Sequence, residues 1–302
     1  MSKLRVGIIA VVALSILVAV PALAGTAGFQ AGTPALPAHV AGNPEAVPYE
    51  SGLAIPLKAD RPAWLTPEIE AELDRNGQAA APVDAPLPSQ VGIRPGSEMV
   101  LPVGCTMNFI FQKSGVYAIG TAGHCVKVGD DVTLLTLAPG TENPVLVRIG
   151  KTVVSKDAGV GNDFALVAIR PELQSWVFPT IAGVGGPCGA FYGSGIETVW
   201  HYGHGLGIGT GGTPRAGYAL GWKTDSFGWG SPAIYGDSGS PVRVTDLKAA
   251  GNLTHLLPLV GSVPSTWIKD WSGTASVIGG TRIGKMLQLA KGYSLVNSPL
   301  CL

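Results

Sequence analysis

Charged side chains are scarce in this 302-residue chain, at 13% of positions, and its 20 basic residues are balanced by 20 acidic ones. Charge this dilute excludes the highly charged disordered class. It also excludes the Ala/Glu/Lys/Leu/Arg bias of coiled coils and helical bundles. There is no basic block, so nucleic acid is not an expected partner. No βαβ alternation appears, which argues against a parallel α/β sheet. Cysteine is limited to four residues, and no two have the C-x₂₋₄-C spacing of a zinc site. Neither a metal nor another cofactor is therefore expected. Beyond the N-terminus, no uncharged stretch approaches the length that spans a bilayer.

Turn formers are abundant instead, with 43 glycines and 24 prolines. From about Pro95 they separate short β-rich runs: Met107–Phe111, Val116–Ile119, Val132–Leu135, Val145–Ile149, Phe164–Ile169, Ile196–Trp200 and Gly217–Trp222. Gln112-Lys113-Ser114-Gly115 reads as a hairpin turn between the first two. Many short strands at this spacing predict an all-β body, an antiparallel barrel or sandwich. One late segment has helical periodicity, with Ile283, Met286, Leu287 and Ala290 on one face.

The first 24 residues read as a secretory signal. Lys3 and Arg5 form a positive start, Val6 to Val20 is apolar, and Ala22-Leu23-Ala24 is a small-residue cleavage site. A secreted protein that meets the membrane only during export is expected. In an oxidising compartment, Cys105, Cys125, Cys188 and Cys301 are expected to form two disulfides, with three pairings possible. A Cys105–Cys125 bridge would close a loop worth about 3 kcal/mol. Residues 25–94 are Ala/Pro-rich and are expected to be a largely disordered linker, stalk or propeptide. Their one ordered-looking piece starts at Thr66, a good N-cap, followed by Pro67 and a first turn rich in acids.

Three polar segments carry candidate chemistry. In Thr121-Ala122-Gly123-His124-Cys125, His124 can move protons near neutral pH and adjoins a cysteine that could fix its backbone. In Asn162-Asp163-Phe164-Ala165-Leu166, Asp163 stands at the mouth of a fully apolar run. A carboxylate there needs a partner, and an imidazole N–H is a suitable one. Asp130, Asp131 and Asp157 lie in polar, turn-like contexts and are weaker candidates. In Gly236-Asp237-Ser238-Gly239-Ser240-Pro241, the glycines let a tight turn present the Ser238 hydroxyl. They also let the amides of Gly236 and Ser238 point into one pocket.

Taken together and in this order, these segments resemble the three signatures of the chymotrypsin-like (trypsin-fold) serine proteases, over roughly Pro95 to the C-terminus. The resemblance implies two six-stranded antiparallel β-barrels, residues 95–175 and 176–302, the second carrying a C-terminal helix. It implies Ser238 as nucleophile, His124 as proton carrier, Asp163 as its orienting carboxylate, and the amides of Gly236 and Ser238 as the oxyanion hole. Cys105–Cys125 would match the family disulfide beside the histidine, which leaves Cys188–Cys301. The expected partner is a polypeptide substrate and the expected state a monomer. A catalytically silent protease-fold binding module and a secreted esterase are the alternatives.

Departures from the family pattern matter too. Gly123 replaces the commoner alanine, and Ser240 the commoner glycine. Val91-Gly92-Ile93 is only a faint counterpart of the activation start found in animal members, so Asp237 is expected to find another partner. Pro232, Ala233 and Tyr235 would line the specificity pocket, and Thr254 and His255 would lie on the strand that pairs with substrate. With no acid there, an uncharged, apolar side chain is expected before the scissile bond. Asn252-Leu253-Thr254 also spells a glycosylation acceptor, read as accidental on a core strand. His201 and His204 lack a third metal ligand and read as a pair in a glycine-rich surface loop, Gly203–Gly212.

Overall fold

The structure, a computed structural model, describes residues 54–141, 143–205, 212–257 and 276–301. The expected signal segment, residues 1–24, lies outside the described residues. So do residues 25–53 and the centre of the expected glycine-rich loop.

Two antiparallel sheets make up the body. The first runs in the order Ser294–Leu295, Ile110–Lys113, Val116–Thr121, Asp163–Ile169, Pro144–Asp157, Asp131–Leu137, Glu98–Leu101 and Cys105–Thr106, with Gln78–Ala80 paired onto Pro144–Asp157. The second runs Ile55–Pro56, His255–Leu256, Ser276–Thr281, Ser226–Ser231, Thr213–Trp222, Thr198–Gly203, Pro241–Val244 and Ala249–Asn252. Six strands in each sheet have four or more residues, and the others are two- or three-residue additions. The architecture matches the trypsin-like double barrel with a small C-terminal helix.

Local chemistry explains the joints. Ser114 and Gly115 both have positive φ (50° and 82°) and connect Lys113 to its partner Val116, the backbone that a tight two-residue hairpin requires. The helix Ile283–Leu289 buries Ile283 and Met286 in an apolar cluster that also contains Phe109, Phe111 and Phe164. Both disulfides form as Cys105–Cys125 and Cys188–Cys301.

Two boundaries differ from the sequence expectation. Residues 54–94 are not a disordered linker. Thr66 caps the helix Pro67–Asn76, and Gly77 ends it in the left-handed region. Leu65, Leu73 and Ala79 then share a buried cluster with Val100, Leu101, Leu135 and Leu146. The Ala/Pro composition concealed these few well-spaced apolar anchors. The C-terminus, in turn, does not stay with the second sheet. Ser294–Leu295 pairs with Phe111 and Gln112 of the first, and Leu295 packs on the Phe109–Phe111 cluster.

Candidate active site

Three segments distant in sequence meet where the two sheets face each other. His124 sits in a single 3-10 turn, Gly123–Cys125, directly after the strand Val116–Thr121. Cys125 is tied to Cys105, so the disulfide restrains the imidazole from the next residue. Gly123 is required by crowding: a Cβ there would lie 1.9 Å from the Lys156 carbonyl oxygen. This explains why alanine is absent.

Asp163 opens the strand Asp163–Ile169 and is fully buried. One carboxylate oxygen lies 2.6 Å from His124 Nδ1, and the other accepts the His124 amide at 3.1 Å. A carboxylate can only accept, so Nδ1 carries the proton and Nε2 is left as an acceptor. That Nε2 lies 2.7 Å from Ser238 Oγ. Imidazole, carboxylate and alcohol thus form a continuous line.

The backbone of Asp163 is clamped from the second sheet. Thr281 Oγ1 accepts its N–H at 3.1 Å and donates to its carbonyl at 3.0 Å, while Asn252 Nδ2 donates to that carbonyl at 3.2 Å. Sequence reasoning missed both residues in this role. Asn252 is fully buried, so the glycosylation match is indeed accidental. Asp130 accepts the Lys127 amide in a turn, and Asp131 pairs with exposed Lys151, which removes both from contention.

The serine turn is held by a second buried carboxylate. Asp237 accepts from Arg215 Nη1 at 2.5 Å and Nη2 at 2.6 Å, and from the amides of Ile234 and Gly205 at 2.8 Å each. The Arg215 guanidinium is thus the partner that Asp237 was expected to find. Val91 and Ile93 are mid-chain residues bridged to Leu137 and Val177. Ser240 Oγ donates to the Asp237 carbonyl at 2.7 Å, so the departure from glycine closes the turn. Gly236 has φ +102°, open to glycine at little cost. Thr106 Oγ1 donates to its carbonyl at 2.9 Å, a second tie on the turn.

The amides of Gly236 and Ser238 converge on one acceptor, the carbonyl oxygen of Leu57, at 2.6 and 3.2 Å. Two donors aimed at a single oxygen beside a hydrogen-bonded serine–histidine pair can stabilise negative charge on that oxygen.

Among the other expected residues, Thr254 and His255 lie next to the site. Thr254 O is 3.0 Å from Ser238 Oγ, and the His255 ring meets the His124 ring edge-on at 5.4 Å. Ala233 is buried in the second-sheet core, Tyr235 is exposed, and the Pro232 carbonyl accepts from Arg215. His201 is not in a loop but in the strand Thr198–Gly203, packed edge-on against Trp229. His204 instead lies 2.7 Å from the Gly96 carbonyl, so the two histidines do not share a ligand position.

Two residue groups among the described residues have metal-like spacing. In one, both cysteine sulfurs are consumed by the Cys105–Cys125 bond. In the other, His124, Asp163 and His255, the carboxylate is already committed to His124.

The fold is the trypsin-like double β-barrel with a small C-terminal helix. The solved structures that this chain resembles include several proteases. Protease A of Thermobifida fusca is 19% identical, with a TM-score of 0.48, over 68% of this chain and 99% of that one. A glutamic acid-specific serine protease is 17% identical, with a TM-score of 0.47, over 68% of this chain and 100% of that one. The Nocardiopsis protease is 18% identical, with a TM-score of 0.43, over 67% and 98%. No family model matches the sequence, and no curated protein does.

Two buried histidines near the site are held neutral. Burial, reinforced by the positive Arg215, pushes His201 down to about 3. Burial, reinforced by His124 and opposed by Asp163, pushes His255 down to about 4. Between these values and the ordinary histidine value near 6.5, the unfolded chain binds protons that the native state refuses. Stability is therefore complete above about pH 6.5 and falls as the pH drops toward the folded values. In urea titrations from pH 7 to pH 4, His201→Leu is expected to flatten this loss by about 3 kcal/mol relative to the unaltered chain. An unchanged slope would rule out His201 as its source.

Proposed function

We propose that this chain is a secreted serine endopeptidase, made as a precursor, that hydrolyses peptide bonds through an acyl-enzyme on Ser238. One observation carries the reading: Ser238 Oγ lies 2.7 Å from a histidine oriented by a buried carboxylate, beside two amides aimed at one carbonyl oxygen. His124 Nε2 takes the hydroxyl proton as Oγ attacks the substrate carbonyl, then delivers it to the departing amine. Asp163 keeps Nδ1 protonated and stabilises the transient imidazolium. The amides of Gly236 and Ser238 receive the charge that develops on the carbonyl oxygen. No cofactor has a part in this chemistry.

Export and oxidative folding support the extracellular part of the reading. The N-terminal 24 residues have the pattern of a signal, and all four cysteines are paired. Among the described residues, no helix is long and apolar enough to cross a membrane. The substrate is a polypeptide and the working unit a monomer.

The test is labelling of the processed protein by a serine-directed fluorophosphonate. A single adduct on Ser238 is expected, absent from His124→Ala. Folded, processed protein that takes up no label would return the chain to the class of protease-fold binding modules.

A further inference from the structure

The site is covered by the chain's own N-terminal segment. Ser238 has no solvent exposure at all, and the His124 side chain is only 3% exposed. The cover is the stretch Ile55–Ala59, in which every residue but Lys58 is held through its backbone. Ile55 and Pro56 pair antiparallel with Leu256 and His255, on the strand expected to bind substrate. The Leu57 amide donates to the Thr254 carbonyl at 3.1 Å, and the Leu57 carbonyl oxygen receives both amides of the candidate oxyanion hole. Beyond it, Ala59 exchanges two hydrogen bonds with Gly104, at 2.8 and 3.0 Å, next to Cys105.

The strand therefore crosses the site from one sheet to the other, with a single carbonyl, that of Leu57, at the reacting position. Side chains agree with backbone. Leu57 is buried to 3% exposure in the apolar cluster that contains Ala233 and Leu253, whereas Lys58 points to solvent with its Nζ near the His124 carbonyl. An uncharged pocket filled by leucine suits the absence of any acid at Pro232–Tyr235.

We infer that segment 55–59 is the protein's own first substrate, cut in cis between Leu57 and Lys58, and that it blocks the site until then. The inference rests on the endopeptidase reading and names its first bond and its side-chain preference. In the first step, Ser238 Oγ bonds to the Leu57 carbonyl carbon and the Leu57–Lys58 C–N bond breaks. The hydroxyl proton passes through His124 to the Lys58 nitrogen, which leaves as an amine. In the second step, water attacks the Leu57 ester, giving a proton to His124. Ser238 leaves with that proton, and Leu57 ends as a free carboxylate. The mature chain starts at Lys58. The helix Pro67–Asn76 and the strand Gln78–Ala80 stay attached, because Leu65, Leu73 and Ala79 are part of the first sheet's core.

The experiment follows the full chain and its Ser238→Ala and Leu57→Asp variants by intact mass and N-terminal sequencing. In parallel, a fluorophosphonate label and an added peptide spanning Ile55-Pro56-Leu57-Lys58-Ala59 report on the active site. The unaltered chain is expected to yield a product beginning at Lys58, at a rate independent of protein concentration. Ser238→Ala keeps the bond intact, and Leu57→Asp slows its cleavage at least a hundredfold. If the chain takes the label and cuts the added peptide while its own Leu57–Lys58 bond persists, the inference falls and the endopeptidase reading stands. A product starting elsewhere, or a rate that rises with concentration, overturns the inference in the same way. If label, peptide cleavage and processing are all absent, both fall.

Discussion

Replacing Ser238 with alanine is expected to lower kcat on a peptide substrate by roughly 10⁶-fold while leaving the protein folded. The alcohol is the one atom in the line that must form a bond, and its loss cannot be offset by the imidazole and carboxylate that remain. His124→Ala should cost about as much, and the double variant little more, because the two side chains act as one unit. The same serine makes the proposed first cut, so the comparison needs chains opened alike. Replacing Ile55-Pro56-Leu57 in each with the recognition sequence of an added protease achieves that. Kinetics on the opened proteins, with circular dichroism and urea midpoints as controls for folding, provide the measurement. Residual turnover within tenfold of the unaltered enzyme would mean that Ser238 is not the nucleophile.

The second large effect concerns Arg215. Its guanidinium makes two hydrogen bonds to Asp237, and the pair is almost wholly buried, with Arg215 at 8% exposure and Asp237 at 0%. Arg215→Met leaves a buried carboxylate with only the two amides of Ile234 and Gly205. Breaking one side of a buried pair typically costs about 3–5 kcal/mol. The carboxylate also anchors the turn that aims the Gly236 and Ser238 amides, so turnover should fall together with stability. Arg215→Lys restores charge but not the two-pronged geometry, and it should recover only part of either quantity. Urea denaturation and kcat/KM measured on the same preparations check this. A stability loss below about 1 kcal/mol would show that the amides alone satisfy Asp237.

Much of the fold was readable from local pattern. The hairpin at Ser114–Gly115, the capped helix after Thr66 and the amphipathic helix from Ile283 all depend on neighbours within a few residues, where propensity and periodicity act. The expected strands overlap observed ones for the same reason, although Val145–Ile149 is only the first part of a strand that runs on to Asp157. Residues 54–94 were misjudged because composition averages over a segment. A handful of apolar side chains at the right spacing is enough to seat it.

The candidate site divides along the same line. His124, Asp163 and Ser238 each sit in a short segment whose glycines, cysteine or apolar run make it conspicuous, and the sequence alone was sufficient to nominate all three. It was also sufficient to limit the disulfides to three pairings. Tertiary structure alone decided which groups support them: Arg215 across 22 residues from Asp237, Asn252 across 89 and Thr281 across 118 from Asp163. It alone also placed the Leu57 carbonyl between two amides of the serine turn. The physical reason is that sheet register and the burial of polar groups depend on which distant strands become neighbours. That choice is made by the packing of the whole core and leaves no periodic trace in the local sequence.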